Sequence, residues 1–288
     1  MVRRDPFKSV WAKCKTLSDF PYVADIELTN LCNFHCQMCP VGLNMMMRQK
    51  GMLSFDLFQA RILPELVENK CAIRFVRWGE PLYHPRFSEF VRLVKKHKLL
   101  LHINTNGSLC DDEILDFINV YVDSIKFSFQ GLGKEEYERI RIGGKFDKLC
   151  GRIKYLSERR GNKHSPFIEI GTTVADVSNT DCEDFKKSFA GVADRVSIGE
   201  TYTPVSDGLI RKQDRRFDSC PEIGGKISIN WDGTVSACCA DFNNLLLVGD
   251  LRKETIREVW NGEKLGKIRE MIRDGQAGLL PLCKYCLK

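Results

Sequence analysis

The chain lacks any apolar stretch near the ~20 residues that a bilayer span requires, so no transmembrane helix is expected. Its opening, Met1-Val2-Arg3-Arg4-Asp5-Pro6-Phe7-Lys8, is basic but leads into no apolar segment of the secretory type, so neither export nor an extracellular disulfide framework is implied. It has no concentrated basic stripe: 44 Lys and Arg against 38 Asp and Glu leave a net charge of +6 that is dispersed along the sequence, a solvated surface rather than a nucleic-acid face. Phosphate-loop chemistry is missing as well, since Gly143-Gly144 stands without the rest of such a loop. Histidine is scarce, and His84, His97, His102 and His164 fall in no ligand constellation. A cytoplasmic protein with neither a membrane nor a nucleic-acid partner is expected.

What the chain does have is cysteine, 13 in 288 residues. With 43% hydrophobic and 28% charged residues it has the composition of a globular protein, long enough for one large core and a smaller appendage. Three of the thiols fall within eight residues, Cys32-Asn33-Phe34-His35-Cys36-Gln37-Met38-Cys39, directly after the strand-like Val23–Leu28 run. They converge on one centre only if the backbone curls round it as a loop. Soft thiolates select zinc, copper(I) or iron–sulfur clusters, and a four-iron cubane held by three cysteines keeps one iron open. Zinc completed by His35 is the alternative, but Cys-x3-Cys-x2-Cys does not match the paired spacings of structural zinc sites. Cys14, Cys71, Cys110, Cys150 and Cys182 show no paired spacing and are expected to be packing residues.

From residue 22 strand and helix patterns alternate. Strands are expected at 22–29, 72–78, 99–104, 123–129, 167–174 and 195–201, with helices at 54–69, 86–98, 111–120, 134–140, 146–160 and 181–190, several opening on caps at Ser54, Asp111 and Asp181. Six such units give an α/β fold with a parallel sheet, curved into a barrel or open and doubly wound. Trp11, Leu17 and Phe20 of the first twenty residues are expected to pack as a lid or a helix before the first strand. Sites in either architecture gather at the C-terminal strand ends. The turns Trp78-Gly79-Glu80-Pro81, Asn104-Thr105-Asn106-Gly107 and Ser128-Phe129-Gln130-Gly131 fall there.

Cys32, Cys36 and Cys39 in the loop after a first strand resemble the signature of radical S-adenosylmethionine (SAM) enzymes. The resemblance implies a partial (β/α)6 TIM-like barrel and a four-iron cluster whose open iron binds SAM, with a 5′-deoxyadenosyl radical as the product of SAM cleavage. It implies SAM contacts from Trp78, Gly79, Glu80 and Pro81, similar to the family's Gly-Gly-Glu-Pro, and from Asn104, Asn106, Ser128 and Gln130. Arg141 corresponds to an arginine placed against the SAM carboxylate, with a helix-surface charge as the plain alternative; Met38 lies on the adenine side, where other members carry an aromatic.

Near residue 203 the pattern changes: Thr203-Pro204-Val205-Ser206-Asp207-Gly208 reads as a linker and Arg211–Arg216 as a charged run. An Asp-Gly hairpin is expected around Trp231-Asp232-Gly233, and a helix over 254–274. The stretch from Cys220-Pro221 to Cys283-Lys284-Tyr285-Cys286 resembles the SPASM/twitch extension of radical SAM enzymes, which implies a second four-iron cluster, on Cys220, Cys238, Cys283 and Cys286. The expected organisation is an extension over 1–20, the barrel over 21–203 and the auxiliary-cluster domain over 204–288. Cys239 is the remainder: as a strand neighbour of Cys238 it faces the other way, into the barrel mouth as a functional thiol, or packs inertly, or exchanges roles with Cys238. A thiol there favours epimerisation, Cys239 returning a hydrogen atom to a carbohydrate or aminoglycoside-like small molecule. The alternatives are twitch-type oxidation of a sugar or aminocyclitol alcohol, modification of a peptide, and a non-catalytic iron–sulfur electron carrier. The short N-terminal extension disfavours the peptide, and a flavodoxin or ferredoxin is the expected reductant.

Overall fold

Apolar side chains at every second strand position face one way and charged ones the other, and this period of two builds the barrel. The computed structural model describes residues 3–175, 181–205, 208–210 and 220–286. Strands β1 (Val23–Ile26), β2 (Ala72–Phe75), β3 (Leu101–Thr105), β4 (Ser124–Ser128), β5 (Phe167–Val174) and β6 (Arg195–Glu200) lie side by side in chain order, every pairing parallel. Ala24, Ile26, Ile73, Phe75, Leu101, Ile103, Ile125, Phe127, Ile168 and Ile170 pack into one buried core with the outer helices. These include Phe87–Lys96, Asp112–Tyr121 and Phe146–Arg160, which bury Phe90, Ile118 and Ile153. Ser54 accepts from the Leu57 amide and Asp111 from that of Ile114, as expected of caps. Asp181 is instead the first residue of the helix Asp181–Ser188. The helix opened by Ser54 widens into a π-turn over Phe58–Ile62, just where Pro64 lacks the N–H that a regular turn would use.

The intervening strand residues point inward and are charged. Asp25 is forked by Arg74 at 2.6 and 2.5 Å, Glu27 by Arg48 at 2.7 and 2.9 Å, and Glu169 holds Lys126 at 3.0 Å and Arg195 at 2.5 Å. His102 is bonded on both ring nitrogens, to Ser124 Oγ and Asn104 Oδ1, and burial pushes its pKa down to about 4.

The Asp-Gly hairpin forms but does not make a sheet of its own. β7 (Lys226–Ile229) pairs parallel with β1, and β8 (Thr234–Ser236) and β9 (Leu247–Asp250) follow antiparallel, so one nine-stranded sheet runs β9-β8-β7-β1-β2-β3-β4-β5-β6. Within the expected linker Thr203–Val205 pairs antiparallel with Gly208–Ile210, residues 206–207 and the charged run at 211–216 lying outside the described residues. The expected single helix over 254–274 is two, Ile256–Trp260 and Glu263–Arg273, broken at Asn261-Gly262. The helix Lys8–Lys13 is no lid over the site: Phe7, Cys14, Val23 and Ala72 cluster with Trp11 and Leu100 at the N-terminal strand ends, opposite the motif-bearing turns, and Leu17 is 63% exposed. Among the described residues no helix is long and apolar enough to cross a membrane.

Candidate active site

The three thiols of the 32–39 loop line one cleft at the C-terminal ends of β1 to β4. The loop is shaped by its own backbone: the Cys39 amide donates to the Cys36 carbonyl at 3.2 Å, and that of Leu43 to Cys39 at 2.9 Å. His35–Cys36 pairs antiparallel with Arg141–Ile142, which buries Cys36 and leaves His35 exposed on the other face, so zinc completed by His35 has no geometry here. Gly42 lets the loop close, since a Cβ there would meet the Cys36 carbonyl oxygen at 2.4 Å. Burial pushes the Cys32 thiol up to about 12, with Glu80, Cys36 and Cys39 adding to the rise. Three soft sulfur donors lining one cleft suit an iron–sulfur cluster, whose positive iron would hold them as thiolates.

Met38, Trp78, Gly79, Glu80, Pro81, Asn104, Asn106, Ser128 and Arg141 line the same cleft. Gly79 is required, at φ +86 and with an added Cβ only 2.3 Å from the Thr29 carbonyl oxygen. The buried Glu80 carboxylate brackets two turns, accepting from Thr105 Oγ1 at 2.8 Å, the Asn106 amide at 2.7 Å and the Leu82 amide at 3.2 Å. Burial raises its pKa to about 7, against those three hydrogen bonds. A carboxyl raised above its unfolded value stabilises fully below about pH 4.5 and loses that contribution as pH rises through about 7. We therefore expect the stability of the metal-free protein in urea to fall between pH 5 and 8 by about 2–4 kcal/mol relative to Glu80→Gln. Parallel profiles would refute this.

Gln130 is buried with both ends of its amide committed, donating to Thr201 Oγ1 and accepting from Thr173 Oγ1, each at 2.7 Å. It lines a second cavity that adjoins the first at Met38, Ser128 and Arg141. Arg141 is no surface charge: half-buried after the helix Lys134–Ile140, it donates to the Phe129 carbonyl, and its Nε is buried without a partner.

In the second cysteine group, Cys220 precedes the short helix Pro221–Gly224, and Cys286 closes a turn on the Cys283 carbonyl at 2.9 Å. Burial raises Cys220 to about 11 and Cys283 to about 12. β8 ends at Ser236, so Cys238-Cys239 sits in a turn rather than a strand, and strand alternation does not set its faces. Asp241 ties this turn, its carboxylate accepting from Ser236 Oγ at 2.6 Å and from the Leu245 and Leu246 amides at 2.9 Å. Cys238 packs against the small cluster of Ala240 and Phe242, as do Met45, Met46, Trp78 and Tyr202. Cys239 is half-buried, its sulfur and carboxylate oxygens of Asp25 and Glu222 all lie within 4.8 Å of one another, and it lines neither cavity. Arg77, which the sequence reading passed over, joins the two cysteine groups: it lines the first cleft and donates to the carbonyls of Cys238 and Asp241 and to Asn230 Oδ1.

The radical SAM superfamily profile matches residues 26–180, and that of an iron–sulfur cluster-binding SPASM domain residues 220–287. The chain belongs to the radical SAM superfamily. This radical SAM protein is 34% identical over 314 aligned positions to a tungsten-containing aldehyde ferredoxin oxidoreductase cofactor-modifying protein of Pyrococcus furiosus, covering 91% of this chain and 86% of that one. It is 33% identical over 271 positions to the S-adenosyl-L-methionine-dependent 2-deoxy-scyllo-inosamine dehydrogenase of Niallia circulans, covering 91% of each. Among solved structures it resembles BtrN in complex with AdoMet and 2-DOIA (TM-score 0.64, 18% identity, 91% of each chain). It also resembles Streptococcus suis SuiB bound to S-adenosylmethionine (TM-score 0.73, 15% identity, 88% of this chain and 69% of that one), and at such identities both likenesses show the fold. The cofactors of this radical SAM protein are SAM and two 4Fe–4S clusters. The two cysteine groups and the unpartnered Nε of Arg141 fit them.

Proposed function

We propose that this radical SAM protein oxidises an alcohol carbon of a small, oxygen-rich molecule to a ketone. The observation that carries this reading is the wall of the paired cavities: Lys126, Ser128, Thr173, Ser197, Thr201 and Tyr202 offer hydroxyl and ammonium groups, and Cys239 is not among them. When bound, SAM and its cluster supply a hydrogen-abstracting 5′-deoxyadenosyl radical, and the auxiliary cluster supplies an acceptor for the second electron. The alcohol thus loses a hydrogen atom, an electron and its hydroxyl proton. Lys126 pairs with Glu169 at 3.0 Å and acts as a donor that orients a substrate oxygen. The aminocyclitol-dehydrogenase name of the Niallia circulans relative supports the same reading, and a flavodoxin or ferredoxin remains the expected reductant.

Epimerisation is the second reading, favoured by the doubled Cys238-Cys239 and by the Cys239 thiol, whose pKa its bond with Cys238 and burial raise, so that it keeps the S–H a hydrogen donor needs. In it, Cys239 turns from Asp25 and Glu222 towards the cleft. Turnover of a panel of polyols, aminocyclitols, sugar acids and sugar phosphates in deuterated water separates the two. Oxidation is expected to give a product two electrons more oxidised, with no deuterium at the reacting carbon and with turnover surviving Cys239→Ala. One deuterium on an inverted carbon, lost with Cys239→Ala, would establish epimerisation instead. A reduced, reconstituted protein that never cleaves SAM would leave the electron-carrier reading.

A further inference from the structure

The inward positions of β4, β5 and β6 form layers across the strand pairings. Nearest the N-terminal strand ends lie Lys126, Glu169 and Arg195, next Ser128, Gly171 and Ser197, and then Thr173 beside Gly199. Bulky side chains fill such layers in a packed barrel; here the middle layer is two serines and a glycine, and the second cavity occupies the space they leave. A Cβ on Gly171 would overlap Lys126 Cε, so its absence lets the lysine stem lie across β5. A Cβ on Gly199 would meet nothing within 4 Å among the described residues, so that position borders open space. The charges of the lowest layer cancel: Glu169 holds Lys126 at 3.0 Å and Arg195 at 2.5 Å, and Arg195 also reaches Asp5 at 2.9 Å, two cations against two carboxylates. Lys126 Nζ and Ser197 Oγ converge on the same Glu169 oxygen, at 3.0 and 2.9 Å. Glu169 takes one N–H of the ammonium, and the Lys126 side chain, 30% exposed, turns the others to the cavity it lines. Ser197 spends its proton on Glu169 and keeps lone pairs to accept with.

We propose that this slot seats an uncharged, hydroxyl-bearing end of the substrate, with Lys126 as donor, Ser197 as acceptor and Gly199 as the residue that sets its width. A hydroxyl both accepts and donates, as that pair requires; a carboxylate or phosphate only accepts, and an ammonium only donates. Either charge would also leave water for a floor whose own charges already cancel, and would stay unpaired there. The slot narrows the substrate from oxygen-rich molecules in general to those with a neutral polyol end. The proposal rests on the small-substrate reading but not on the choice between oxidation and inversion.

The test is isothermal titration of the reconstituted, SAM-loaded full chain with myo-inositol, a neutral cyclic polyol. Binding is expected, and neither inorganic phosphate nor methylammonium is expected to displace the polyol. Gly199→Val adds methyl groups that enter open space on a residue suited to strands, so it is expected to keep iron content and melting temperature and to weaken binding at least tenfold. Gly171→Ala, which pushes the Lys126 stem aside, is expected to weaken it several-fold. Lys126→Met leaves one cation against two carboxylates, so methylammonium is expected to bind this variant and not the unaltered protein, a change that lost packing would not produce. Failure of myo-inositol to bind, its displacement by phosphate or methylammonium, or equal binding by Gly199→Val would overturn the slot. Binding that Gly199→Val abolishes, where no polyol of the panel is oxidised or inverted, would leave the slot standing and remove the reaction. Product formed equally by Gly199→Val would keep the reaction and remove the slot.

Discussion

Replacing any one of Cys32, Cys36 and Cys39 with alanine is expected to halve the iron of the reconstituted protein and abolish SAM cleavage, while Cys283→Ala halves the iron and spares cleavage. The asymmetry follows from where the two groups sit. The first three thiols share one loop and one cleft with the Trp78–Pro81 turn, and removing one leaves a cluster with two protein ligands. No neighbour can substitute, because His35 is turned outward and Asn106, whose amide meets the Cys32 sulfur at 3.8 Å, is a donor to that sulfur. Cys283 lies in the separate turn with Cys286. Iron analysis, electron paramagnetic resonance and chromatography of 5′-deoxyadenosine check this. Full iron in a triad variant would mean that these thiols are not ligands, and loss of SAM cleavage in Cys283→Ala would mean that the two groups do not work independently.

Local patterns were legible in the sequence and distant pairings were not. The six parallel strands and most of the helices between them follow from periods of 2 and 3.6 and from caps such as Ser54 and Asp111, all written within a few residues. That the Trp78–Pro81, Asn104–Asn106 and Ser128 turns share one cleft followed from counting strand ends, whereas Met38 and Arg141 came from the family resemblance, and Gln130 lines the adjoining cavity instead. Docking of β7 beside β1 was not legible, because Lys226–Ile229 has the same alternation whether it starts a new sheet or extends an old one. Nor were the orientations of Cys238 and Cys239, because the turn that holds them is closed by Asp241, whose partners Ser236, Leu245 and Leu246 lie on either side of it. Arg77 was not legible either, because its acceptors, Asn230 and the carbonyls of Cys238 and Asp241, lie far along the chain.

Arg74→Met is expected to cost about 3–5 kcal/mol in the reduced, metal-free protein near pH 7, the largest loss of stability from a substitution outside the cysteines. Asp25 is fully buried on β1 and its carboxylate is forked by Arg74 from the next strand. Burial alone would raise its pKa; Arg74 and Lys226 outweigh that and hold the carboxyl below the usual range. A carboxyl with a depressed folded pKa stabilises above its unfolded value of about 3.8 and loses that contribution as pH falls through the folded one. Without Arg74 burial gains weight, the pKa rises, and the group destabilises the charged state instead. The gap between the unaltered protein and the variant should therefore be widest at pH 7–8 and narrow towards pH 4, which urea unfolding at several pH values measures. A constant gap would point to lost packing of the Arg74 stem against Trp11, whose ring lies 4.9 Å from the guanidinium. The double variant Asp25→Leu with Arg74→Met should recover most of the stability, since no charge is then left buried alone. Asp25 also flanks the Cys239 sulfur, so recovery of stability without recovery of turnover would show that the ion pair shapes the cysteine turn as well as the fold.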